Sequence, residues 1–196
     1  QVEWNLDKIN QQSDLYVYYL NSGKVEQLTD DRYSDLQASW SDDGEKIVFI
    51  SERGPNTHLD QQIYGNYRLC TLDLETQKVN VLDVFPQTDV FSPNFSGQDT
   101  SIYFLSHADG KRNLYEYKIK EDKVFRLTDF VTGISGITDL APAYSISRET
   151  GKVVYTLYGN DNYQIYLADL DKLERTELDK AYSDETASIL PPGRGR

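Results

Sequence analysis

The sequence is poor in the residues that most covalent and metal chemistry needs. It has a single cysteine, Cys70, two histidines, His58 and His107, and no methionine in 196 residues. One cysteine excludes an internal disulfide and any thiolate metal site. Neither histidine lies in an H-E-x-x-H pattern, and "GISG" (133–136) lacks the G-x-S-x-G spacing of a nucleophile turn. No apolar run approaches 18 residues, so no segment reads as a membrane-spanning helix. Basic residues are also scarce, 20 against 32 acidic, for a net charge of −12. Such a surface repels phosphate backbones, and the one basic run is the terminal "GRGR", so nucleic acid is not the expected partner. There is no initiator Met; a start at Gln1 reads as a processed product or a piece of a longer polypeptide.

What is abundant is tyrosine, fifteen of them, within an aromatic content of 12%. Tyrosine packs its ring on a sheet while its hydroxyl reaches water, so half-buried strands are expected. Cys70 sits in "YRLCTLDL", where a small buried thiol is the expectation. No segment has the periodicity of a long amphipathic helix.

The strands come in a repeating phrase. "YSD" at 33–35 recurs at 182–184, an offset of 149 residues, each time followed two residues later by "AS". "SWSDDGEKIVFIS" (39–51), "NFSGQDTSIYFLS" (94–106) and "AYSISRETGKVVYTL" (143–157) each pair an aromatic (Trp40, Phe95, Tyr144) with a polar turn and a strand, at intervals of 55 and 49. In phase with these run "SDLYVYYL" (13–20), "YRLCTLDL" (67–74), "RNLYEYKI" (112–119) and "YQIYLADL" (163–170), each followed by a turn and another short strand. Gly23, Gln77 and Asp122 share one turn position, where a positive φ is expected. Four antiparallel strands per roughly 50 residues define a propeller blade. The expected fold is therefore an all-β propeller of four-stranded blades, with about four blade repeats. The blade phrases fall at about 1–35, 36–90, 91–139 and 140–184, with the start of another at 185–190 and a tail at 191–196. Within this scheme "VEW" (2–4) is a second strand, "DKLERTEL" the fourth strand of the last complete set, and "TASIL" (186–190) a new first strand.

"LTDDRYSDLQASWSDDGEKIVFISERG" followed by strands such as "DLYVYYLNSGKVEQLT" resembles the repeats of the TolB-like and tricorn-like propeller group, of the form W-S-P-D-G-x-x-I-x-F-x-S-x-R. The matching residues are Trp40, Ser41, Asp43, Gly44, Ile47, Phe49, Ser51 and Arg53; Asp42 stands at the proline and Asp99 at a glycine position. The resemblance implies either part of a propeller of six or more blades, the reading favoured here, or a four-bladed ring closed by pairing of the two ends. It further implies a bacterial periplasmic or cell-surface location and protein partners. Similar blades also form the propellers of prolyl-oligopeptidase-type enzymes.

Two groups of residues are candidates for binding. Asp35, Asp89, Asp139 and Asp184 precede the first strand of successive repeats by five or six residues. At a channel mouth they either fix the turn into the inner strand or form an acidic ring for calcium, magnesium or a basic peptide. The segment 52–66 carries ten extra residues between the second and third strands of one blade, including Arg53, His58, Asp60 and Tyr64; long loops on rigid scaffolds often bind. Taken together, the sequence reads as a non-catalytic, cofactor-free scaffold for proteins or neighbouring domains. The alternative is the substrate-gating propeller of a peptidase whose catalytic domain lies outside these residues.

Overall fold

The computed structural model describes residues 12–138 and 140–184. Every regular element there is a strand, apart from two 3-10 turns at Leu59–Gln61 and Leu170–Lys172. Strands β1 (Tyr16–Tyr18) and β2 (Val25–Gln27) form a hairpin, the described part of the first blade. The second blade is the four-stranded sheet β3 (Asp35–Trp40), β4 (Lys46–Ser51), β5 (Arg68–Asp73) and β6 (Lys78–Val81). The third contains β7 (Val90–Phe95), β8 (Ser101–Ser106), β9 (Asn113–Lys118) and β10 (Lys123–Arg126). The fourth has β11 (Tyr144–Ser147), β12 (Lys152–Gly159) and β13 (Asn162–Asp169). The expected strands at 2–4 and 186–190 and the tail lie outside the described residues.

Turn chemistry follows the repeat. Gly23, Gln77 and Asp122 all have positive φ (68°, 56° and 52°), as their shared position requires, and so do Gly44, Asp99 and Gly151. The "L-T" ending of the phrase also acquires a physical reason. Leu28 and Leu127 extend the outer ladder through N–H bonds to the Leu15 and Leu114 carbonyls, 2.8 Å each. The next residue bonds in the other direction: the hydroxyls of Thr29 and Thr128 accept the N–H of Leu15 and Leu114 at 2.9 Å. Backbone groups at the strand end are thereby satisfied where no further strand residue is available.

Alternation along each strand sends one set of side chains to each neighbouring blade. Val48, Ile50 and Leu69 meet Ile102, Phe104, Tyr115 and Tyr117 between the second and third blades, with Phe85 wedged among them, 5.0 Å from the Tyr115 ring. Tyr103, Leu105 and Leu114 meet Val153 and Tyr155 between the third and fourth. Ile47, Phe49, Cys70 and Leu72 pack under the hairpin against Leu15 and Leu28. Cys70 is fully buried, and burial pushes its thiol up to about 12. His107 is half-buried with its ring edge-on to Phe91, the ring centroids 5.6 Å apart. His58 is exposed.

Two expectations are corrected. First, "DKLERTEL" does not complete the fourth blade. Its strand β14 (Thr176–Leu178) pairs antiparallel with β10 on the outer edge of the third, making that sheet five-stranded and leaving the fourth with three. The turn at Leu170–Lys172 diverts the chain, Arg175 is drawn to Glu116 of the third blade at 2.8 Å, and Leu178 and Tyr182 pack onto its core. Second, Tyr144 is not the counterpart of Trp40 and Phe95. Those two pair with Ile47 and Ile102, and the residue opposite the equivalent Val153 is Ile146. Two more residues separate Tyr144 from Val153 than separate Trp40 from Ile47 or Phe95 from Ile102, so the aromatic falls two residues out of phase; β3 and β7 each also carry a bulge, with Gln37 and Ser92 at positive φ, whereas β11 pairs without a shift.

The three inner strands are tied to each other by polar side chains. Ser92 N–H donates to Gln37 Oε1 at 2.6 Å, and Gln37 Nε2 donates to the Leu140 carbonyl at 2.8 Å. Asn94 contacts Ser39 Oγ at 3.3 Å and the Tyr144 hydroxyl at 3.2 Å. Arg148 reaches back from the fourth blade to Ser39 Oγ at 3.1 Å and the Trp40 carbonyl at 2.5 Å. Gly97 is required where the backbones of the third and fourth blades touch, since a Cβ there would collide with the Arg148 carbonyl.

Candidate functional site

In a blade the connection into the inner strand and the loop between the second and third strands emerge at the same end, because the strands alternate in direction. The inserted segment 52–66 therefore stands beside the 28–35 connection, and ion pairs join the two. Arg53 lies at the centre. Its guanidinium donates to both oxygens of Asp35 at 2.6 Å and to Asp31 at 2.8 Å, and it stacks over the rings of Tyr33 and Phe49 at 5.2 and 5.7 Å. Glu52 Oε1 accepts the Ser34 N–H at 2.7 Å, and Asp60 pairs with Arg32 at 2.5 Å. The Thr57 hydroxyl, bonded to the Glu52 carbonyl, accepts the Gly65 N–H and closes the base of the loop. The loop's outer part presents Asn56, His58, Asp60 and Tyr64 to solvent over a His58–Ile63 bridge.

The predicted aspartates have unlike surroundings. Asp35 is 2% exposed and engaged by Arg53. Asp89 accepts the Tyr67 N–H at 2.7 Å, fixing the entry to β5. Asp184 reaches the same end through its own N–H, bonded to the Ala108 carbonyl at 2.8 Å. Asp139 lies outside the described residues. Of the loop residues, Arg53 is brought to Asp35, while His58, Asp60 and Tyr64 lie on the outer part. Among the described residues no group of three or more His, Cys, Asp or Glu side chains is arranged to hold a metal ion.

Sequence reasoning missed a second polar site. Glu116, 4% exposed, sits on the face of β9 that packs toward the fourth blade, where it accepts from Ser101 Oγ at 2.9 Å and Arg175 Nε at 2.8 Å. Burial, and then the Glu116 charge, push the neighbouring Tyr103 hydroxyl up to about 12. A groove of about 500 Å³ opens beside this pair, lined also by Lys118, Lys120, Glu121 and Asp171. The available signal was a carboxylate at the packed phase of an alternating strand; its partner, Arg175, comes from a segment whose route the repeat did not indicate.

The fold is all-β, a series of antiparallel sheets of the kind that form β-propeller blades. No family model matches the chain. A curated protein similar to this chain is dipeptidyl-peptidase 5 of Porphyromonas gingivalis, 27% identical over 117 residues, which cover 59% of this chain and 16% of that protein. Among solved structures, TolB from Acinetobacter baumannii matches with a TM-score of 0.63 at 20% identity, over 85% of this chain and 38% of that one. The putative TolB of Agrobacterium tumefaciens matches with 0.65 at 20% identity, over 85% and 56%. Puromycin hydrolase matches with 0.58 at 15% identity, over 82% and 24%. The chain thus has the blade fold of TolB and of peptidase propeller domains, and it spans only part of the length of each.

Proposed function

We propose that the protein is a non-catalytic recognition scaffold of the bacterial cell envelope, which holds a protein or peptide partner at the loop-bearing end of its blades. One observation carries this reading: the 52–66 insertion is anchored at its base by a buried ion pair, yet offers an irregular polar surface at its tip. That combination positions contacts without ordering a free loop on binding. The chain carries a net charge of −12, so the partner surface is basic or strongly hydrogen-bonding.

A second reading has its own observation, the sequence match to a dipeptidyl-peptidase. In it, the same blades gate substrate for a catalytic domain carried elsewhere in the polypeptide. Treating the natural gene product with a fluorophosphonate serine probe separates the two. Covalent labelling supports gating. Absence of labelling, with capture of an envelope protein that is lost on deleting residues 55–64, supports the scaffold.

A further inference from the structure

The outermost strand of a sheet offers unpaired backbone groups, and most of the outer edges here are kept short and charged. Strands β2, β6 and β14 have three, four and three residues, and each carries a charge within that length, at Glu26, Lys78 and Glu177. Strand β13 differs. With β14 diverted to the third blade, β13 is the outer strand of the fourth, and it runs for eight residues with no charge before Asp169. It has no proline and no bulge, and Tyr163, Ile165 and Tyr166 favour an extended chain. The register shows which backbone groups are open. Leu170 N–H donates to the Gly151 carbonyl at 2.8 Å, so by antiparallel alternation the residues bonded to β12 are Asn162, Gln164, Tyr166 and Ala168. Tyr163, Ile165, Leu167 and Asp169 therefore turn their N–H and C=O groups outward, where no strand lies among the described residues.

We propose that the β13 edge is a docking site for an extended, basic segment of a partner protein, which pairs with it by main-chain hydrogen bonds. The side chains along the edge define the chemistry of that segment. On one face Ile165 and Leu167, 75% and 64% exposed, call for apolar residues opposite them. On the other, the Tyr166 ring stacks on Tyr155 at 5.8 Å and is itself 40% exposed, a seat for an arginine guanidinium. Asp161 and Asp171 flank the strand on a chain of net charge −12, so basic residues alternate with the apolar ones. A second copy is less suited. Pairing β13 antiparallel with itself about Ile165 sets Asp161 opposite Asp169 at both ends and brings two acidic chains together. The edge is separate from the 52–66 loop, so the inference holds for either reading of function.

Hydrogen–deuterium exchange on the natural gene product tests this, with a capped peptide of alternating arginine and valine as the probe. The outward amides of Tyr163, Ile165 and Leu167 should exchange freely in the protein alone and slow at least about tenfold with the peptide. Deleting residues 55–64 should leave that slowing intact, which separates this site from the loop. A glutamate–valine peptide, or the arginine–valine peptide N-methylated at every valine, should give none. Ile165→Pro removes one outward N–H but keeps the ladder to β12, and should abolish the slowing at Tyr163 and Leu167. Ile165→Lys leaves the backbone untouched and should weaken it by charge. Unchanged exchange with the arginine–valine peptide overturns the proposal, as does equal slowing by either control peptide. So does slow exchange already present in the free monomer, which would make the polypeptide itself the occupant. Slowing that grows with protein concentration alone would make a second copy the occupant, and overturns it too.

Discussion

The carboxylate of Asp99 in the third blade receives the backbone N–H of Asp42 in the second, 2.8 Å from each oxygen, and that of Asp43 at 3.2 Å. Both Asp42 and Asp99 depart from the repeat phrase, which has proline and glycine there, and the departures are complementary. A proline at 42 would have no N–H to give, and a glycine at 99 no carboxylate to receive it. The clamp joins neighbouring blades at the end remote from the 52–66 loop.

Replacing Asp42 by proline should therefore cost about 1 kcal/mol, the usual net value of one hydrogen bond. Asp99→Gly loses the same bond but relieves a residue held at φ 53°, a conformation costing an L-residue roughly 1 kcal/mol, so its net change should be near zero. When Asp99→Gly is already present, adding Asp42→Pro should have no further effect. Urea denaturation of the four proteins of the cycle reads the coupling.

Arg53 and Asp35 form the most enclosed ion pair of the candidate site, with side-chain exposures of 12% and 0%. Removing one partner leaves the other charged and buried, so Arg53→Ala should destabilise by about 3 kcal/mol or more. Arg53→Lys keeps the charge but cannot span Asp31 and Asp35, and should recover only part of the loss. Asp31→Asn, at the more exposed contact, should cost the least. Chemical denaturation gives this order, and equal losses for all three would show that the pair is not what holds the loop base.

Thr128 accepts the Leu114 N–H and donates to Asn113 Oδ1, also at 2.9 Å, inside the third blade. Thr128→Val keeps the shape and strands both partners, at a cost of about 1–3 kcal/mol. Thr128→Ser should restore most of it, as thermal unfolding of the pair of variants would show.

Tyrosine makes the fold sensitive to alkali. Burial, aided by Glu116, pushes Tyr103 up to about 12; burial, aided by the hydrogen bond to Asp122, does the same for Tyr117. Tyr115 and Tyr144 are raised as well, chiefly by burial. In the unfolded chain a tyrosine ionises near 10. Between these values the folded state holds protons that the unfolded state has released, so stability is fully present below about pH 10 and falls as the pH rises toward 12. Ultraviolet difference titration should show these buried tyrosines ionising only as the protein unfolds. A single class titrating near 10 with the fold intact would contradict the burial described.

Blade phrasing was legible because it is local. The alternation of "NLYEYKI", the turn position shared by Gly23, Gln77 and Asp122, and the extra length of 52–66 are all properties of neighbours in sequence, which backbone sterics and side-chain period translate directly into structure. The role of Asp35 was half legible. Its recurrence marked a connection into an inner strand, but the partner that decides its chemistry, Arg53, is eighteen residues away and became visible only once β3 and β4 paired.

By itself, then, the sequence determined an all-β chain of repeated strands and the places where they turn. Tertiary structure decided which edge each strand joins. Period alone would assign Thr176–Leu178 to the blade it follows, yet hydrogen-bond ladders accept any strand of suitable direction. The third blade holds it because it offers Glu116 to Arg175, Lys123 to Glu177 at 2.9 Å, and an apolar seat for Leu178. Those contacts are non-local, and no count of residues along the chain contains them.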